Sequence, residues 1–358
     1  MDKILGFVTP VVVYALIFLL HIILPARWVT GYATKTNSTE KLRYRLNGLL
    51  VLFTIVAMWF TLCYTGLLAW DWIYIYRWYG LVGAVVFGLI FSAVIVFPYP
   101  AVKQSVLADF YLGRLENPQW RDGLVDAKMW LYLVGAVMLQ LNVLSFSYFH
   151  WAHTKHESIG YFIAAGLLTF FIIDYLTFEE VHLYTYDFFA ERVGFKLGWG
   201  CIAFYPYFYA IPFWATAGME DAQTPMWLLV IYALIFFNGW MLSRGANLQK
   251  YYFKKDPQQI FLGLAPQTIT DGKRTLLVSG FWGLSRHINY LGEILMATGI
   301  VLCVGHPLCI WPWLYPLYYV ALLFPRQADD DKRCAEKYGP LWNVYTQRVP
   351  YRIIPFIY

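Results

Sequence analysis

Five clusters of polar residues interrupt an otherwise apolar sequence, and each holds groups able to do chemistry. In the first, Arg244 is followed by Asn247, Lys250, Lys254 and Lys255. Lys250 and Lys254 are four residues apart and share one face of a helix. Two cations so placed can hold a phosphate. They also suit a stop signal on the basic side of a membrane span. The second cluster, within 276–293, crowds Arg286, His287, Asn289, Tyr290 and Glu293 at the mouth of an apolar stretch. Ionisable groups at membrane depth are costly, which makes them functional candidates, although a structural polar collar has the same composition. In the third, Arg326, Asp330, Cys334 and Lys337 recur at helical spacing on one face. A charged surface helix reads the same way. Tyr338, Trp342 and Tyr345 follow them.

The fourth cluster places Glu179, Glu180, His182 and Asp187 between apolar runs, just before the glycine-rich 194–200. Acids packed beside apolar spans can have raised pKa values and donate protons, or can simply be solvated. The fifth is His150, His153 and His156. Their spacing hints at a metal, but at the end of a span they read as interfacial polar groups, and no metal is expected. The five cysteines, Cys63, Cys201, Cys303, Cys309 and Cys334, form no CxxC pair and imply neither a disulfide framework nor a zinc site. The sequence has no P-loop and no GxSxG elbow, and no GxGxxG follows a predicted strand. Any nucleotide must therefore bind among helices and loops.

The elements that position these clusters are membrane helices. Of the 358 residues, 59% are hydrophobic and only 14% charged, against roughly 25% charged in soluble domains. Aromatic residues make up 20%, which suits membrane interfaces and flat apolar ligands. The net charge of +5 reflects loop bias, because no stretch interleaves basic and aromatic residues as a nucleic-acid surface does. A span needs about 20 apolar residues. The segments 4–25, 47–68, 79–101, 129–150, 159–178, 195–217 and 225–243 qualify. The first is too long for a signal-peptide core and is kept as a span. The region 290–324 is broken at Gly305-His306-Pro307 and reads as a hairpin of two spans. The fold class is thus an all-α polytopic membrane protein with nine transmembrane helices, or ten if 275–289 dips into the bilayer. With the N-terminus outside, the inside segments hold 22 Lys and Arg, against only Lys3, Arg77 and Lys155 outside. That asymmetry places the loop 244–276 and the tail 325–358 together on the cytoplasmic side.

The three C-terminal clusters together resemble the sterol reductase family. That family includes the sterol C14 and C7 reductases, the fungal C24(28) reductase and the membrane half of the lamin B receptor. The resemblance is carried by LLVSGFWGLSRHINYLGE at 276–293, by DDKRCAEKYGPLWNVYTQRVPYR at 330–352 and by RGANLQKYYFK at 244–254. It continues more weakly through 111–128, and covers most of 110–358. It implies a single membrane domain over 1–358, with variable helices over 1–110 and a sterol- and NADPH-binding region over 111–358. It also implies that NADPH sits in a cytoplasm-facing pocket of the C-terminal helices. Lys250 and Lys254 would hold the adenosine-side phosphate. Leu277, Trp282, Asn289 and Tyr290 would line the cofactor, and Arg326, Asp330, Cys334, Lys337, Tyr338 and Tyr345 would close the pocket. Relatives often carry Arg where Lys254 stands, and Lys lacks the bidentate fork. Glu179 and Asp187 match two acids of the family's substrate side, whereas Cys201 replaces a third.

The expected reaction is reduction of a sterol carbon–carbon double bond, at Δ7, Δ14 or Δ24. An isolated double bond is unpolarised, so a proton donor must accompany hydride delivery. Asp187, Glu179, Tyr290 and Asp330 are the candidates. A dry, aromatic-lined cavity would suit the sterol and a developing cation. Two other readings share these residues. Arg286-His287, Tyr290 and Glu293 also fit a membrane methyltransferase of the isoprenylcysteine carboxyl type, and the resemblance also permits a non-catalytic sterol-binding protein. The bilayer and a sterol are the expected partners, with no nucleic acid. The expected membrane is the endoplasmic reticulum in a eukaryote or the inner membrane in a bacterium.

Overall fold

A computed structural model describes residues 1–35, 38–103, 105–154 and 158–358. Lys155 and His156 lie outside the described residues. The chain forms two compact units, Met1–Asp221 and Ala222–Tyr358.

The first unit is built on helices α1 (Asp2–Ile23), α2 (Gly48–Tyr64), α3 (Arg77–Val96), α4 (Ala127–His153) and α5 (Ile159–Thr177). Helix α4 is its centre, with nearly every residue from Ala127 to Val143 buried. Two of its buried amide side chains donate inside the bundle, where lipid offers no partner. Asn142 Nδ2 donates to the Pro206 carbonyl at 2.7 Å, and Gln140 Nε2 donates to Thr169 at 3.1 Å. Asp126 caps the helix by accepting from the Met129 N–H at 2.7 Å. The expected inside loop 26–46 contains an antiparallel hairpin, β1 (Arg27–Thr34) with β2 (Lys41–Leu46). A two-residue pair, β3 (Gln119–Trp120) with β4 (Val125–Asp126), precedes α4.

One expected span differs. Residues 195–217 form Phe195–Trp199, a π-helical turn Gly200–Phe204, and the short helices Tyr205–Phe208 and Ile211–Thr216. Pro206 and Pro212 sit in the first turns of the last two. Each lacks an N–H, so each restarts a helix rather than continuing one.

The second unit holds α6 (Met226–Lys255), α7 (Ile288–Val304), α8 (Ile310–Tyr338) and α9 (Pro340–Arg348), with the hairpin β5 (Thr268–Thr270) and β6 (Thr275–Leu277). Helices α7 and α8 are separated at the expected break. The stretch 275–289 is β6 and a single turn, Phe281–Leu284, rather than a span. Helix α8 carries Pro316 and Pro325 in its interior. Pro325 falls where its apolar half meets its charged half.

Among the described residues, five helices are long and apolar enough to cross a membrane, namely α1, α3, α4, α5 and α6, and α2 and α7 are shorter apolar helices. Helices α6 and α7 approach so closely that a Cβ on Gly292 would lie 2.5 Å from both the Gly239 carbonyl and the Ser243 amide nitrogen. Small residues let membrane helices meet backbone to backbone in this way. Gly292→Ala is expected to cost about 1–3 kcal/mol by forcing the pair apart. Gly166→Ala, where an added Cβ meets nothing within 4 Å, serves as the control. Thermal unfolding in detergent checks this, and equal midpoints for the two variants would refute the close packing.

Candidate functional site

The second unit gathers most of the predicted residues around the basic end of α6. Trp282 is held there by an indole N–H donated to the Ala246 carbonyl at 2.8 Å, and Lys250 Nζ lies 5.0 Å from its ring centroid. The turn carrying Trp282 is clamped by Gln249. Its Nε2 donates to the Ser279 carbonyl at 3.2 Å, and its Oε1 accepts from the Phe281 N–H at 3.0 Å. Gly280, at φ 62°, permits this contact, because a Cβ there would meet Gln249 Nε2 at 2.2 Å. Sequence reasoning missed Gln249. Its partners lie on Ser279 and Phe281, far along the chain, and no local signal marks it.

Lys250, Lys254, Asp330, Cys334 and Lys337 lie within electrostatic reach of one another. The charged face of α8 thus meets the basic end of α6. Burial pushes the Cys334 thiol up to about 12, with the Asp330 charge adding to the effect. Arg326 is half-buried on the same face and Lys337 is exposed. Leu277 is buried on β6.

Tyr345 is buried on α9, and its hydroxyl makes a long hydrogen bond of 3.4 Å to the Trp282 carbonyl. Trp342 stacks on it at 4.8 Å, and Tyr338 stacks on Trp342 at 6.2 Å. These rings pack with Val278 and Val349. Asn289 Nδ2 donates to Asn247 Oδ1 at 3.4 Å, whereas the buried Asn289 Oδ1 has no hydrogen-bond partner among the described residues.

Backbone pairing explains why the second and third clusters belong together. The Arg286 N–H donates to the Tyr351 carbonyl at 3.0 Å and the His287 N–H to the Arg352 carbonyl at 2.8 Å. Asp331, which the spacing argument passed over, faces Arg286 Nη1 at 3.5 Å and His287 Nε2 at 3.6 Å, and accepts from Gln327 Nε2 at 2.6 Å. Tyr290 is buried, its ring stacked on His287 at 5.0 Å.

The remaining two predicted residues belong to the first unit. Asp187 lies on the turn Tyr186–Phe189, within electrostatic reach of Lys128, Tyr175 and Cys201. Two of the three positions singled out on the substrate side therefore share one neighbourhood. Lys128 is buried, with Nζ donating to the Phe188 carbonyl at 2.9 Å and to Asn117 Oδ1 at 3.1 Å. Glu179 is buried and reaches α2. Both carboxylate oxygens accept from the Gly48 N–H at 3.1 Å, at the start of α2. His150, from the histidine cluster, is a core residue bonded to the Ala217 carbonyl at 2.9 Å.

Apolar helices with a polar cluster at one helix end define a helical membrane protein. The description "Ergosterol biosynthesis ERG4/ERG24 family" matches residues 5–358, well beyond the 110–358 carrying the resemblance, and the chain belongs to that family. It is 32% identical over 352 residues to a Delta(14)-sterol reductase of Arabidopsis thaliana, covering 94% of this chain and 91% of the relative. It is 29% identical to a Delta(14)-sterol reductase of Methylotuvimicrobium alcaliphilum, covering 92% and 79%. It is 28% identical to a probable 7-dehydrocholesterol reductase of Acanthamoeba polyphaga mimivirus, covering 88% and 72%.

Burial pushes the Glu179 carboxyl from 4.5 up to about 7, against the pull of the Gly48 N–H and the Arg27 charge. A carboxyl raised in this way favours the folded protein at low pH. That contribution is lost as pH rises from 4.5 through about 7. Glu179→Gln stays neutral and still accepts from Gly48. It should match the parent near pH 4.5 and exceed it above pH 7 by roughly 2–4 kcal/mol. Thermal unfolding across that range checks the difference, and parallel curves would sink it.

Proposed function

We propose that this protein is an NADPH-dependent reductase of a sterol carbon–carbon double bond. The observation that carries the reading is the cluster of Lys250, Lys254, Lys337 and Asp330 beside Trp282, in a chain whose relatives are named as sterol reductases. The residues present fit a nicotinamide dinucleotide phosphate. Lys250 and Lys337 supply cations for its phosphates, and Trp282 supplies a flat apolar face. Burial and the charges of Lys250 and Lys337 lower the Lys254 ammonium to about 6, so Lys254 takes up its proton as a phosphate comes beside it. The unpartnered Asn289 Oδ1 can accept from an amide N–H. Leu277, Tyr290, Arg326, Cys334, Tyr338 and Tyr345 complete the set implied by the resemblance. Bound there, the cofactor supplies hydride. The basic end of α6 faces the cytoplasm under the charge rule of membrane topology, in a multi-pass protein of the endoplasmic reticulum or bacterial inner membrane.

The bond we assign is Δ14, because the Arabidopsis and Methylotuvimicrobium relatives are both named for it. Expression in cells lacking sterol reductases, followed by sterol profiling, tests the bond. Loss of Δ7 rather than Δ14 intermediates would reassign it. Transfer of tritium from labelled NADPH supports reduction, whereas methyl transfer from labelled S-adenosylmethionine would establish the methyltransferase reading instead. Sterol binding with no turnover of any unsaturated sterol would leave only a binding protein.

Tyr290, Asp187, Glu179 and Asp330 remain the candidate proton donors, and we test Tyr290 and Asp187 first, because Glu179 accepts from the amide that opens α2 and Asp330 lies among the cofactor cations. Tyr290→Phe and Asp187→Asn separate them. The true donor's variant should lose kcat by about 100-fold or more while NADPH affinity stays unchanged. If neither variant loses kcat, both assignments fall.

Trp282→Ala and Asp330→Ala are each expected to insert normally but to lower kcat/KM for NADPH by about tenfold or more. Steady-state kinetics in detergent checks this, and full activity in both would remove the cofactor assignment.

A further inference from the structure

Residues 259–264 form an apolar turn outside the candidate site. The Phe261 N–H donates to the Leu264 carbonyl at 3.1 Å, and the Leu264 N–H donates to the Phe261 carbonyl at 2.9 Å. Leu262 and Gly263 between them have φ 48° and 76°. This is a two-residue hairpin turn with both central residues left-handed, a geometry that favours Asn-Gly. Leucine adopts that backbone at a cost, and here its side chain is 75% exposed. Ile260 and Leu264 beside it are 63% and 56% exposed. A water-facing turn has no use for three large aliphatics on a conformation that disfavours one of them.

The turn is anchored on the basic end of α6. Phe261 packs on Tyr252 of α6 at 6.0 Å and on Phe281 at 6.4 Å. The Phe281 ring covers Gly245, where an added Cβ would meet its Cζ at 2.3 Å. Gly245 lies two residues after Ser243, which closes the expected span 225–243. The turn therefore folds back onto the last turns of α6, with the Phe281 ring between it and Gly245. Lys255, Lys273 and Arg274, in the same connecting segment, are exposed. The acids of that segment are occupied with backbone amides. Asp271 accepts from the Lys273 and Arg274 N–H groups at 2.9 and 2.7 Å, and Asp256 accepts from the Gln258 N–H at 3.0 Å.

We propose that the 259–264 turn lies in the headgroup–acyl boundary of the bilayer that α6 itself crosses. Ile260, Leu262 and Leu264 reach the acyl edge, and Lys255, exposed at the end of α6, meets anionic headgroups. Exposed aliphatics flanked by cations suit that boundary. The proposal rests on the membrane reading of α6 and is independent of the reductase reading.

The test is a nitroxide on Leu262→Cys in the full chain, reconstituted in vesicles of phosphatidylcholine and phosphatidylserine, with the signal of the labelled parent protein subtracted. Val230→Cys, on the exposed apolar flank of α6, provides a lipid reference. Gln347→Cys, exposed on α9, provides a water reference. The label at 262 is expected to collide with oxygen as at 230, and with a water-soluble nickel chelate about fivefold less than at 347. Nickel access equal to that at 347 overturns the proposal in favour of a solvated turn. Protection from both oxygen and nickel overturns it in favour of a protein occupant, such as a second copy of the chain.

Discussion

The contact between α6 and α7 sets the geometry of the second unit. With Gly239 and Gly292 opposed, the two backbones touch, and the helices cannot slide without separating. Ser243 can then reach Glu293 with a 2.6 Å hydrogen bond, and Asn247 can reach Asn289 one turn further along. The indole of Trp282 finds the Ala246 carbonyl because the chain before α7 is brought against the same stretch of α6. A membrane interior supplies no water to fill a loose crossing, so such close contact is the available route to a fixed register.

Polar chemistry is possible here because α6 outlasts its apolar part. The helix continues past Ser243 to Lys255 with its backbone groups already paired, and offers Asn247, Gln249, Lys250 and Lys254 to solvent-side neighbours. Charges grouped at that end avoid the expense of the hydrocarbon centre. The cations are also set against the acid-bearing face of α8, where Asp330 counters only part of the burial and repulsion that lower the Lys254 ammonium.

Much of this was legible from residues alone. The helical spacing of Arg326, Asp330, Cys334 and Lys337 survives as one face of a continuous helix, and the break at Gly305-His306-Pro307 separates α7 from α8. What escaped were pairings made across long stretches of chain. Nothing near Gln249 announces that it will clamp a turn thirty residues away, and Asp331 meets Arg286 and His287 only once the tail has folded back. Glu179 reads locally as an acid beside a span, and its bond to Gly48 crosses 131 residues. The 195–217 segment misled for a different reason. Average hydropathy does not register that two prolines in one apolar run withhold the amides that a single helix needs.

Pro325 has a consequence for what holds the charged face of α8 in place. With no N–H to offer, it leaves the carbonyl one turn earlier, that of Ala321, without its usual helical partner. The rod is therefore weakest at the point where it leaves the apolar layer. The part bearing Asp330, Cys334 and Lys337 is held less by the ladder of its own helix than by neighbours, and Asp331 ties it to Arg286 and His287.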